Sequence, residues 1–316
     1  MLSRAREQRS LTVDWRQYLV YIGFVALFLF FAVTLHDAGF TNPNNLLNIA
    51  RQTAIIATMA VAMTFVIAAG QIDLSVGAIA GLSSVTTALT IASYGPVAGV
   101  IVGLLTGLLV GAVNGLLTTL LVIPSFLVTL GMMGVARGSA MWLTGTAPVP
   151  ILNQTYNNIF GSGQVGPIPS LLIWIVVVTA IGYVVLRKTP YGRQVLATGG
   201  NEQAARFSGV NTRRIGFLVL TVSGVVAALA GMLYAGRLQS GRFQWGEGDE
   251  LSVIAAVVLG GTSLFGGSGS VIGSVLGALL IGVVNNGLIL MGLETSQQII
   301  IRGAIIIVAV ALARRR

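Results

Sequence analysis

Apolar residues in this chain come in long, nearly charge-free runs, and the polar positions gather between them. Runs of this kind match the ~20 residues that carry a helix across a hydrocarbon layer about 30 Å thick. Ten are predicted, at 18–35, 49–69, 73–92, 97–121, 125–144, 168–186, 215–235, 251–264, 271–290 and 295–312. The eighth is short for a crossing, and Gly260-Gly261 with Gly266-Gly267 close behind it predict a broken helix. The expected fold is all-α and polytopic. One transmembrane unit, 18–312, lies between an N-terminal segment, 1–17, and a basic tail, 313–316.

One polar island interrupts the pattern, from Arg187 to Arg214. It carries six basic side chains and one acidic side chain, Glu202. Its middle is patterned as a short helix. Asn201 offers an N-cap, Glu202 occupies the first turn, and Gly209 can take the left-handed conformation that stops a helix. Glu202 and Arg206 are spaced i,i+4, worth a few tenths of a kcal/mol. A helix over 202–208 would be only ~10 Å long. Alone in water such a helix is marginal, so it is expected to dock on another surface.

Composition narrows the class. Hydrophobic residues make up 55% of the chain and charged residues 9%, against about 25% charged in soluble domains. Mean hydropathy is +0.89. No stretch remains for a soluble catalytic domain. A net charge of +9 would suggest nucleic acid in a soluble protein, but here the charge is segregated. Arg4, Arg6, Arg9 and Arg16, the island, and Arg314, Arg315 and Arg316 together hold 13 of the 18 basic residues. They fall on one side of the predicted spans, which assigns that side and both termini to the cytoplasm. The loop 145–167 carries no charge, as an external loop permits. With no cysteine, disulfides and thiolate chemistry are excluded, and with a single histidine, His36, a histidine-based metal site is not expected. The first apolar run is span-length, so it reads as an anchor rather than a cleaved signal.

Short motifs recur in one order in the two halves. Asp73-Leu-Ser-Val76 returns as Glu250-Leu-Ser-Val253, the segment around Asn114 returns around Asn285-Asn286, and Arg137-Gly138 returns as Arg302-Gly303. By the span order, Asp73 opens a run leaving the cytoplasm and Glu250 opens one entering it. Two inverted-topology halves are therefore expected, the construction that puts a solute path at the repeat boundary. Chance similarity among Gly/Ala/Val-rich segments is the alternative.

Three ordered blocks carry a family resemblance over about 42–312. Gly70-Gln-Ile-Asp73-Leu-Ser-Val-Gly77 resembles the Gly-Ile-Asp-Leu-Ser-Val-Gly signature of the permease subunits of ribose-type sugar ABC importers. The island is similar to their polar loop through Thr189, Gly192, Arg193, Gly199, Gly200, Asn201, Ala204, Ala205, Ser208 and Gly209. The third block is Leu259-Gly-Gly-Thr-Ser-Leu264, Gly266-Gly267 and Asn285-Asn286-Gly287. Gln71 and Leu196 depart from common family residues, and Gln71 is read as the mark of a different substrate subgroup.

The resemblance implies a permease for a ribose-like pentose or related monosaccharide in a bacterial inner membrane, embedded in lipid. It implies a second permease copy as homodimer partner, an external sugar-binding protein, and a separate cytoplasmic ATPase that holds ATP and Mg. The chain itself has no phosphate loop, and Lys188 is its only lysine. It is thus expected to bind no cofactor or metal and to be no enzyme. Gly199, Gly200, Asn201, Glu202, Ala204, Ala205, Arg206, Ser208 and Gly209 would couple to the ATPase, while Arg213 and Arg214 read better as anchors at the anionic leaflet.

Asp73, with Ser75, is read as a gate element; a proton or cation site and plain helix capping are the alternatives. Asn114, Asn285 and Asn286 either line the path or bond neighbouring helices. Arg137 and Arg302 need partners or water at depth. Glu247, Asp249 and Glu250 follow Arg237 and Arg242 in a loop expected outside, where they would dock the binding protein by charge. An ion-coupled secondary transporter of a small polar solute is the competing class. It usually requires more buried charge than Asp73 supplies.

Overall fold

The computed structural model describes residues 19–313. The basic residues expected to fix the orientation at the two termini, with segments 1–17 and 314–316, lie outside the described residues, as does the Arg302 side chain. In chain order the helices begin with α1 (Leu19–Thr34), α2 (Pro43–Ala68), α3 (Val76–Leu120) and α4 (Ser125–Thr144). A small cap follows: β1 (Val149–Pro150), α5 (Gln154–Phe160), β2 (Gln164–Val165) and β3 (Ile168–Pro169). Then come α6 (Ser170–Lys188), α7 (Pro190–Gly200), α8 (Glu202–Phe207), α9 (Thr212–Leu238) and β4 (Ser240–Gly241). The chain closes with α10 (Asp249–Leu259), α11 (Val271–Leu290) and α12 (Thr295–Ala313). Among the described residues six helices, α2, α3, α4, α6, α9 and α11, are long and apolar enough to cross a membrane.

The longest, α3, is a hairpin. Gly95 takes φ 84°, ψ 174°, open only to glycine, and Pro96 starts the second limb. Gly99 packs against Ile91 and Thr87 and Gly103 against Thr87 and Ser83, whose hydroxyl bonds the Gly103 carbonyl at 3.1 Å, so the limbs run antiparallel. Gly99, Gly103, Gly107, Gly111 and Gly115, spaced by four, form one buried ridge on the second limb. A Cβ at Gly107 would overlap the Gly224 carbonyl, and one at Gly111 would come 2.8 Å from the Leu220 oxygen. The missing side chains let α9 lie backbone-to-backbone on α3. In a membrane, where apolar burial gives no advantage over lipid, that close packing is what joins helices.

The two central helices are α2 and α9, with 83% and 67% of their apolar windows buried against 22% for α3 and α4. α9 packs along α3, while α2 packs on α10 and α11. The loop between α4 and α6 is structured: β1 pairs antiparallel with β4, β2 pairs with β3, and the buried Tyr156 hydroxyl donates to the Met232 carbonyl at 3.0 Å.

The eighth predicted run is a short helix that ends at its glycines. α10 is 11 residues long, ~16 Å, half a crossing. It ends where Gly260 packs against the Gly273 backbone and Gly261 turns left-handed. The connection before it, 239–248, lies along the first limb of α3: the Ser84 hydroxyl bonds the Arg242 carbonyl at 3.0 Å, and Gly81 packs under the Phe243 oxygen.

Candidate functional site

The island folds into two helices rather than one. α8 forms as its sequence predicts: the Asn201 side chain accepts the Ala204 amide at 2.9 Å and Gly209 takes φ +84°. Arg206 reaches Glu202 at 2.6 Å and Thr212 at 2.9 Å, and Thr212 donates to Glu202 at 3.1 Å. This triangle fixes α8 to the first turn of α9. Only Ala205 of α8 is buried; Glu202, Ala204, Arg206 and Ser208 are exposed. Phe207 is 85% exposed, and sequence reasoning passed over it. Its signal was there, a large apolar residue within a polar loop.

α7 was not expected. Thr189 accepts the Gly192 amide at 3.3 Å and Pro190 occupies the first helical position, where its missing N–H costs nothing. Tyr191 stacks on Phe65 of α2 at 6.4 Å, and burial pushes its phenol up to about 12, so it stays neutral. The C-terminus of α7 makes the site's central contact. A Cβ at Gly199 would overlap the Ala68 carbonyl oxygen and come 2.8 Å from the Gly267 amide. That amide donates to Ala68 at 3.0 Å. Gly266 and Gly267, both left-handed, seat against Gly199 and Gly200, and Gly70 faces the Gly199 Cα. The two helix breaks, 69–75 and 260–270, thus converge on the last turn of α7.

Asp73 lies inside the first break and is fully buried. α2 ends with Gly70 at φ +76°, its amide on Ile67, and the freed amides of Ile72 and Leu74 bond Ser125 and Thr129 of α4, each at 3.0 Å. Asp73 Oδ1 accepts the Ser75 amide at 2.9 Å and hydroxyl at 2.6 Å, and Oδ2 accepts the Ser223 hydroxyl at 2.7 Å. Asn114 donates to Ser75 at 2.9 Å. The carboxylate therefore makes an Asx-type turn and ties the break to the middle of α9. It does not cap the first-turn amides of α3.

The other asparagines separate. Asn286 forms a reciprocal amide pair with Asn45 at 2.9 and 2.8 Å, a link between α11 and α2. Asn285 is buried, and its Oδ1 has no protein partner among the described residues. The acidic loop also divides. Asp249 accepts the Tyr234 hydroxyl at 2.6 Å, Glu250 is half-buried against Gly77, and Glu247 is exposed and paired with Arg137 at 2.8 Å. Arg137 thus has the partner its position demands. No group of three or more potential metal ligands occurs among the described residues.

Residues 45–310 match the family described as branched-chain amino acid transport system / permease component. The ribose import permease protein of Bacillus subtilis (strain 168) is 43% identical over 296 residues, 93% of this chain and 92% of the relative. That of Escherichia coli (strain K12) is 38% identical over 302 residues, 92% of each chain. An L-arabinose ABC transporter permease of Azospirillum brasilense is 37% identical over 93% of this chain and 86% of its own length. No solved structure matches. The apolar helix array and these full-length matches agree on an integral membrane transport permease, and the chain belongs to the branched-chain amino acid transport system / permease component family.

Proposed function

We propose that this chain is the membrane permease of an ATP-driven importer of a ribose-like monosaccharide, crossing a bacterial inner membrane ten times in two inverted halves with both termini cytoplasmic. The relatives' names support the sugar. The antiparallel limbs of α3, and the exchange by which α2 packs on α10 and α11 while α9 packs on α3, support the halves. One observation carries the mechanism: the last turn of α7, joined to exposed α8 through Asn201 alone, is wedged between both helix breaks at Gly199. A push on α8 by a cytoplasmic ATPase subunit, which would hold the ATP and Mg, reaches both breaks at once. Asp73 and Asn114 hold the first break shut through Ser75 and Ser223, which is gate work rather than ion coordination.

A second permease copy, lipid and an exported sugar-binding protein complete the assembly. Of the acidic residues expected to receive that protein, Asp249 accepts the Tyr234 hydroxyl, Glu250 is half-buried and Glu247 is paired with Arg137, so docking is proposed to rest on the exposed Arg242. Proteoliposomes decide between pump classes. Sugar uptake should require ATPase, ATP and binding protein, and should survive ionophores that collapse every gradient. Uptake by this chain alone, abolished by a protonophore, would establish the secondary-transporter reading instead.

A further inference from the structure

A charged cluster beside the start of α3 is not used by the coupling seam. Arg137 is the thirteenth residue of α4, ~18 Å along a helix of ~30 Å, so its guanidinium sits far from either end. Its Nη1 donates to Glu247 at 2.8 Å, with 54% of the Glu247 side chain exposed against 25% for Arg137. Glu250, in the first turn of α10, lies close by: a Cβ at Gly77 would come 2.6 Å from its Oε2 and would overlap the oxygen of Gly246, the residue before Glu247. Arg137 and Glu247 are the charged side chains near enough to act on it.

An ion pair exposed at that position cannot face hydrocarbon without a large penalty, so it opens on an aqueous space. Two atoms beside it are shielded from solvent and unpaired among the described residues, the donor Arg137 Nε and the acceptor Glu250 Oε2. An unused donor and an unused acceptor in one cluster match the chemistry of hydroxyl groups, each of which accepts one hydrogen bond and donates another. The charges point the same way. Once Glu247 moves off, Arg137 and Glu250 are one cation and one anion, which suits an uncharged solute.

We propose that Arg137 and Glu250 form a contact site for neutral, polyhydroxylated solutes on the path, covered here by Glu247 as a latch. The proposal rests on the importer reading and places within that path a site of defined chemistry. Backbone packing supports the latch. Gly77 and Gly246 meet with no room for a Cβ on either, so the segment bearing Glu247 is held directly against the start of α3.

The test uses the assembled permease, ATPase and binding protein in proteoliposomes, with labelled D-ribose as probe. Glu250→Gln should cut ATP-driven uptake about tenfold, the scale of one charge-assisted hydrogen bond, while binding-protein-stimulated hydrolysis stays within about twofold. Glu250→Asp, which keeps the charge, should recover part of the uptake. Glu247→Gln should raise ribose leak without ATP about threefold or more, and adding Glu250→Gln should return the leak towards wild type. Wild-type uptake in Glu250→Gln, or uptake and stimulated hydrolysis lost together, would overturn the site. An unchanged leak in Glu247→Gln would overturn the latch. Absence of ATP-driven uptake by the wild type would contradict the importer reading, and the leak measurements would still decide the site.

Discussion

Asp73 shows what a single residue reveals before any fold is known. A carboxylate inside an apolar run is conspicuous, but the helix capping its neighbours suggested is not what forms: Asp73 accepts from Ser75 and not from the first-turn amides of α3. Its second partner was not legible. Ser223 is 150 positions away, one serine among the small residues of α9, and no local pattern marks it. Asn286 shows the reverse, since its pairing with Asn45 makes a conspicuous polar residue a fastener between helices. The Asp73 geometry makes a prediction. Asp73→Asn presents an amide nitrogen to Ser223 or to Ser75 and loses charge-assisted bonds, each worth about 1.5–3 kcal/mol. The variant should unfold earlier in detergent by about that much while keeping any ATP-driven uptake insensitive to external pH. A normal melt together with a new or lost pH dependence of uptake would favour a proton site.

At the scale of elements, capping chemistry was decisive where it was local. α8 follows from Asn201 and Gly209 alone. α7 was missed because Thr189-Pro190 and Gly199-Gly200 look like loop punctuation, yet the first pair starts a helix and the second lets its end press on two other backbones. The shortness of α10 was visible from its flanking glycines. Its partner, the turn-rich 239–248 segment against α3, was not, because backbone-to-backbone packing leaves only glycines as its trace. The exposed face of α8 also carries a prediction. Phe207 is a large apolar side chain, 85% exposed, on the proposed ATPase-facing helix, where one buried aromatic anchor contributes about 2 kcal/mol or more. Phe207→Ser should weaken ATPase binding in detergent by tenfold or more and leave membrane insertion unchanged. Undiminished binding would move the contact elsewhere on the island.

For the whole molecule, apolar periodicity delivered the helical, polytopic class, because run length alone separates spans from loops. It could not say which helices are central: apolarity does not follow burial, since α3 is more apolar than α2 yet less buried, and the choice of α2 and α9 rests on close packing and small polar links that only the assembled backbone brings together. The same assembly makes α7 a wedge between two breaks. The most direct test is the number of sugar molecules imported per ATP hydrolysed when Gly199 is changed to alanine. Its added Cβ meets the Ala68 carbonyl and the Gly267 amide, away from exposed α8. ATPase binding and hydrolysis should persist while uptake per ATP falls about tenfold or more, a loss of coupling of about 1.4 kcal/mol or more. An unchanged ratio in a folded, fully assembled Gly199→Ala transporter would contradict it.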